Sequence, residues 1–361
     1  MTLQEISNIR LINQRIVGTE FKTPKEIVSW MGAMQAQDYP MAKLAVGLRL
    51  LDITDQQIEA AYNKGEIIRT HLMRPTWHFV AADDIYWMLD LTAGKIKSSL
   101  TSRHIELELS PSVLAKSNDI IERALSKGGS LTRDELALKF RNANINVAGN
   151  RLSHLLLCAE LDGLVCSGPI TDKKLSFSLL HDRVPLKKLL TRDESLAELA
   201  KRYFKSHGPA TFQDFVWWSG LSVTEARKAL ESVRLNFISD TIGSQTYWFP
   251  DSFSEVDNHK PSIHLLPAYD EFLISYKDRS ATLSQTDNRK AVSDNGIFRP
   301  VIVINGQVSG LWKRTIQKEK AVVEVDFFHS GDMETKDRIG KVAKSMEPLF
   351  GKTTTLILLI K

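Results

Sequence analysis

Apolar positions along this chain recur at two spacings, and blocks of the two alternate. Leu3, Ile6, Ile9, Ile12 and Ile16 fall on one helical stripe that ends near Gly18. Thr23-Pro24-Lys25-Glu26 opens a second helix, with Thr as N-cap, Pro in the first turn and Glu three residues on. Its apolar positions, Ile27, Val28, Trp30, Met31 and Met34, run into Gln35-Ala36-Gln37. Pro40 biases Tyr39 away from helical backbone, so this helix is expected to end there. A helix through Leu50 and another from Thr54 to about Lys64 follow. Two β-like runs, Glu66 to Thr70 and Thr76 to Val80, then flank Arg74-Pro75. Three helices and a small hairpin make a winged-helix pattern, a relative of the helix-turn-helix.

The pattern returns twice after a linker helix that starts at Ala82-Asp83-Asp84 and carries Ile85, Trp87, Met88 and Leu91. Ser112 to Ser126, a capped helix after Ser130, and Asn150 to Asp162 precede strand candidates Leu164 to Ser167 and Leu175 to Leu179. Ser195 to His207, Phe212 to Ser219 and a helix capped by Ser222 and Glu225 precede Leu235 to Ile238 and Gln245 to Phe249. Beyond Asp251 the chain turns β-rich. Ile263 to Pro267 reads as a buried strand, and Val301 to Ile304 and Gln307 to Trp312 pair across Asn305-Gly306, a dipeptide suited to a type I′ turn. Lys320 to Phe328 and Thr353 to Ile360 add strands around a helix from Met333 to Phe350. The expected fold is mainly α with β, an α+β chain. Its expected parts are winged helices at 1–84, 112–190 and 191–255, a helical linker at 85–111, and a small separate β-rich domain at 256–361.

Composition narrows the class only a little. Hydrophobic content of 43% and charged content of 25% are ordinary for a soluble globular protein of 361 residues. The start has no signal-peptide core and no apolar run suits a membrane span, which leads to an expectation of a soluble, reduced, cytoplasmic protein. Cys158 and Cys166 lack paired ligand spacing. None of the nine histidines, His71 and His78 included, sits at metal-ligand spacing on a helix, so no metal is expected. Phosphate-loop and nucleophile-elbow signatures are absent, and no nucleotide cofactor is expected.

The net charge of +4 permits nucleic-acid binding without announcing it. Cations recur at Arg10 and Arg15, Arg69 and Arg74, Arg141 and Arg151, Lys187 and Lys188, Arg279, Arg299, and Lys313 with Arg314. Several modules giving a few each would line one phosphate-binding groove; scattered solvated charge, offset by 43 acidic residues, is the alternative. Asp270-Glu271 is the one adjacent carboxylate pair beside an apolar strand. It reads as acidic side chains at a helix start rather than an acid/base pair. Gln35 and Gln37 would share a face in an extended or turning segment and converge on a target such as a water. Two solvated amides at a helix end are the alternative.

Four stretches resemble one family. They are Met34-Gln35-Ala36-Gln37-Asp38, Arg69 to His78 (RTHLMRPTWH), Leu265 to Arg279 (LLPAYDEFLISYKDR), and Phe298 to Arg314 (FRPVIVINGQVSGLWKR). In this order they resemble the AlkZ-like bacterial DNA glycosylases, winged-helix proteins that include the YcaQ type. The resemblance implies three tandem winged helices and a β-rich C-terminal domain. Gln35-Ala36-Gln37 looks like the double-glutamine, AlkZ-type branch, since the YcaQ type has Asp where Gln37 stands. Position 75 is Pro where many relatives carry Gly.

The resemblance also implies hydrolysis of the N-glycosidic bond of N7-alkylguanine in double-stranded DNA, in some members including interstrand crosslinks. Gln35 and Gln37 would hold the water, and Arg69, Arg74, Arg279, Arg299, Lys313 and Arg314 are the DNA-binding candidates. Glutamine does not titrate near neutrality and is no strong base. An N7-alkylguanine is already cationic and leaves neutral, so the protein mainly has to place a water. A monofunctional glycosylase without cofactor or Schiff-base lysine is expected, working as a monomer at the nucleoid. The hairpin at Asn305-Gly306 is the candidate DNA-probing element, with a core hairpin as the alternative. A non-catalytic winged-helix regulator and a winged-helix scaffold are the rival functions.

Overall fold

The computed structural model describes residues 1–126, 128–186, 190–251, 262–329 and 333–359. Lys187, Lys188, His259 and Ile360 lie outside the described residues.

One element order occurs three times. It begins with helix Pro24–Met31, strand β1 (Ala33–Gln35), helices Tyr39–Gly47 and Asp55–Lys64, then strands β2 (Ile67–Leu72) and β3 (Thr76–Ala81). It recurs as helix Pro111–Leu125, β4 (Ser130–Thr132), helices Arg133–Asn142 and Arg151–Leu161, β5 (Val165–Ser167) and β6 (Ser176–Leu179). The third copy is helix Arg192–His207, β7 (Ala210–Thr211), helices Phe212–Ser219 and Val223–Val233, β8 (Ile238–Ile242) and β9 (Gln245–Phe249). The sheet orders are β1-β3-β2, β4-β6-β5 and β7-β9-β8. Capping chemistry repeats as well. Thr23, Thr54, Thr132, Thr191 and Thr211 each close a capping box with the residue three positions on, each worth about 1 kcal/mol of helix stability.

The expected elements differ from these in three places. The second helix stops at Met31, because Gly32 adopts φ +78°, backbone that glycine takes without strain. The next residues form β1, and each unit holds such a strand of two or three residues, too short to show a period of two. Pro40 opens a helix instead of ending one. It lies in the first turn of Tyr39–Gly47, and Asp38 caps that turn by accepting from the Met41 N–H at 3.1 Å. The expected strand at Leu235 is a 3₁₀ turn, Arg234–Asn236, with Leu235 93% exposed; β8 starts only at Ile238.

The C-terminal part is a five-stranded sheet in the order β10 (Ile263–Leu266), β11 (Val301–Ile304), β12 (Gln307–Ile316), β13 (Lys320–Phe327) and β14 (Thr353–Leu358). The β13–β14 pair is parallel, and helix Met333–Ser345 lies in the crossover that a parallel pair requires. This sheet is not packed apart. Leu265, Ile302, Trp312 and Val323 share one core with Ile27, Met34, Ala36 and Phe79 of the first unit. A second core joins Ile68, Val80 and the linker helix Ile85–Ser99 to Leu199, Tyr203 and Trp218 of the third unit. The first helix, Leu3–Asn13, spans two parts of the chain. Arg10 Nε donates to the Pro209 carbonyl at 2.9 Å, Asn13 to the Gly208 carbonyl at 2.8 Å, and Ser7 to the Gly306 carbonyl at 2.5 Å.

Two imidazoles, one buried and one half-buried, tie this packing to pH. His78 on β3 is 1% exposed, and burial with Arg74 nearby brings its pKa down to about 4. Burial and Arg49 do the same for His264 on β10. Both lie below the unfolded value, so the unfolded chain takes up protons first as pH falls. Stability is therefore full above about pH 6.5 and drops as pH falls toward 4, by on the order of 3 kcal/mol for His78. Thermal melts from pH 7 to pH 4 should show this loss, and His78→Asn should flatten it.

Candidate active site

Gln35 is the last residue of β1 and pairs in register with His78 of β3. The ladder runs one residue further, where the Ala36 N–H donates to the Trp77 carbonyl at 2.7 Å. Ala36 is fully buried in the core, and Gln37 follows in a bend beyond the end of the strand. Gln35 is 6% exposed and Gln37 is exposed. The Gln37 N–H donates to Gln35 Oε1 at 3.0 Å, which fixes the Gln35 amide with its oxygen toward the turn. Arg69 clamps the same segment from β2. Its Nε donates to the Ala36 carbonyl at 2.8 Å, and its guanidinium stacks 4.0 Å from the Trp77 ring centroid. Arg69, a DNA-binding candidate, is only 7% exposed, and its hydrogen bonds go to the loop carbonyls.

β1 is an edge strand, and its outward N–H at Gln35 needs a partner. Glu271 supplies it, accepting at 2.6 Å through Oε1. Glu271 Oε2 accepts from Trp218 Nε1 at 3.3 Å and from the Ser275 hydroxyl, and His207 Nε2 lies 3.6 Å away. Burial would raise the Glu271 carboxyl, but His207, Ser275 and the Gln35 N–H outweigh it and bring its pKa down to about 2. An ionised carboxylate therefore sits one backbone amide behind Gln35. Its neighbour Asp270 pairs with Arg49 at 2.8 and 2.9 Å. Arg49, with no exposed side-chain surface, also donates to the Gln14 and Ala45 carbonyls, each at 2.9 Å. Asp270 does start a helical turn, accepting from the Phe272 N–H as its cap. That explanation leaves out the larger part of what the pair does. Sequence reasoning missed Arg49, whose signal was a lone cation between Leu48 and Leu50.

The other cation candidates divide. Arg74 is half-buried with its Cζ 5.5 Å from the Trp217 ring centroid, and among the described residues its buried Nε has no hydrogen-bond partner. Arg279 donates to the Leu273 carbonyl at 3.0 Å and reaches within 4.9 Å of the Phe298 centroid. Arg299 is exposed, its guanidinium on the Lys290 carbonyl at 3.3 Å. Lys313 is 75% exposed and Arg314 lies 5.1 Å over the Phe350 ring. The Asn305-Gly306 turn is not a free probe. It is docked on the first helix, where Gln4 holds the Asn305 carbonyl and a Cβ at Gly306 would sit 2.0 Å from Ser7 Oγ. The opposite end of that strand, the β12–β13 tip at Gln317–Glu319, is exposed and carries Lys313 and Arg314 on its stem. Among the described residues no cluster of His, Cys, Asp or Glu could hold a metal, and no helix is long and apolar enough to cross a membrane.

Comparison with known proteins puts the chain in the class of DNA glycosylases. The chain is similar in fold to the Streptomyces sahachiroi DNA glycosylase AlkZ, with a TM-score of 0.81 at 20% identity, covering 99% of this chain and 100% of that one. A comparison with curated protein sequences finds no match. The family model described as DNA glycosylase AlkZ-like matches residues 28–347, and the chain belongs to that family.

Proposed function

We propose that this chain hydrolyses the N-glycosidic bond of N7-alkylguanine in duplex DNA, using a water held by Gln37 and Gln35. The observation that carries it is the amide pair itself. Gln37 is exposed, Gln35 is oriented by the Gln37 N–H, and the loop is clamped by Arg69 and backed by ionised Glu271. Neither amide titrates, so the pair cannot assist a neutral base to leave. It suits a substrate whose base is already cationic. The bonding electrons pass to the guanine and cancel its charge, the sugar becomes oxocarbenium-like, and water adds to C1′ and gives its proton to solvent. The negative field of Glu271 favours the positive charge that moves onto the sugar.

No lysine nucleophile enters this scheme. Lys43, on the helix after the loop, is held by Asp55 at 2.8 Å and Glu59 at 3.0 Å. Each three-helix, three-strand unit is read as a winged helix. The duplex would run past Arg74 and Arg279, with the β12–β13 tip as the probing element and bulky or crosslinked adducts among the substrates.

The test is base release from a duplex carrying one N7-methylguanine, with alkali converting abasic sites to breaks. Release from the lesion and none from unmodified duplex is expected, at a rate flat between about pH 6 and pH 9 because no group in the scheme titrates there. A rate that climbs through that range as one group ionises would replace the amide pair with a general base. No release from this or a bulkier N7 adduct, with tight binding retained, would leave a non-catalytic DNA-binding protein.

A further inference from the structure

Trp217 is an exposed indole held in a fixed position. It is 39% exposed, yet its Nε1 donates to the Ile274 carbonyl at 2.9 Å. Its neighbour Trp218 is 1% exposed and bonded to Glu271, which fixes the rotation of helix Phe212–Ser219. Arg74 and Arg279 flank the Trp217 ring, with guanidinium carbons 5.5 and 5.8 Å from its centroid. Gln213, four residues earlier and so on the same helical face, lines a cleft of about 1300 Å³ that Arg279 also lines.

The charges of that cleft are unevenly committed. Asp214 is spent on the backbone N–H groups of Thr211, Lys277 and Asp278. Asp278 is spent on Gln245 and the Ser280 N–H. Lys277 is exposed, and Arg289 is 87% exposed with Asp294 at 3.9 Å. A fixed indole flanked by guanidinium groups and continued by available cations is the layout that takes bases on a ring face and phosphates beside it.

We propose that Gln213, Trp217 and Arg279 form a track along which one DNA strand leaves the amide loop. A nucleobase stacks on Trp217, and the phosphates that follow pass to Lys277 and Arg289 in the cleft. The proposal rests on the glycosylase reading for its ligand. The test is affinity for unmodified single-stranded and duplex oligonucleotides over a range of salt, beside base release from the N7-methylguanine duplex.

Trp217→Ala should weaken binding about tenfold or more without changing the salt slope, while Trp217→Phe stays within about threefold of wild type. The double variant Lys277→Gln/Arg289→Gln should lower the slope of log K against log salt by about 1.5. Melting temperatures are read alongside; if Trp217→Ala unfolds, the Phe and charge variants still decide. Unchanged affinity in Trp217→Ala, or an unchanged slope in the double variant, would overturn the track even where base release is normal. The expected binding changes in a protein that releases neither N7-methylguanine nor a bulkier N7 adduct would keep the track and overturn the glycosylase reading.

Discussion

Gln37→Ala is expected to slow release of N7-methylguanine by about 100- to 1000-fold, the range seen when one oriented polar group is removed from a reaction centre. It should do so with almost no loss of stability. The Gln37 side chain is exposed, while the contacts that shape the loop run through its backbone. Gln35→Ala should behave differently. Gln35 is 6% exposed and its Oε1 accepts the Gln37 N–H, so truncation loosens the turn as well as emptying the site. It should cost a similar factor in rate and, in addition, about 1 kcal/mol of stability. Single-turnover rates with excess enzyme, read beside thermal melts, separate the two effects. A Gln37→Ala variant within threefold of wild type would remove Gln37 from the chemistry. A Gln35→Ala variant that lost rate without any stability would show that its amide serves the water alone.

How far the sequence went depends on the range of the interactions. The repeated units were legible because their helices carry apolar stripes and threonine caps, both local signals. Strands β1, β4 and β7 were not, since two or three residues cannot display a period. The turn at Asn305-Gly306 was legible as a turn, with φ of +49° and +80°. Its docking on Ser7 was not, because the partner lies about 300 residues away in the chain. The same limit governs the site. Gln35 and Gln37 stand out by spacing and by family resemblance. The carboxylate behind Gln35 comes from 236 residues further on, and Asp270-Glu271 looked like any acidic helix start. The burial of Arg69 was not legible either, because sequence shows charge and not burial.

The largest stability effect is expected at Arg49. Its side chain has no exposed surface, and it joins Asp270 to the Gln14 and Ala45 carbonyls through hydrogen bonds of 2.8 to 2.9 Å. Arg49→Met keeps most of the volume but leaves the Asp270 carboxylate buried without its cation. Breaking such a pair from one side costs about 3–5 kcal/mol. Asp270→Asn should also be costly, because it leaves the buried Arg49 guanidinium without its counter-charge and only one amide oxygen to accept from it. The double variant Arg49→Met/Asp270→Leu should recover part of the loss, since removing both charges also removes the penalty of burying one alone. Urea denaturation of the wild type, Arg49→Met, Asp270→Leu and the double variant gives the cycle, and additive losses would mean that the pair is not coupled. Activity supplies an independent check. Asp270 is adjacent to Glu271, which holds the Gln35 N–H at 2.6 Å. A shift of this turn moves the carboxylate away from the edge strand that carries the amides. Arg49→Met should therefore lose base release at temperatures where it is still folded, and the double variant should regain stability without regaining the full rate. If rate and stability instead recover together, Arg49 acts on the site only by keeping the chain folded.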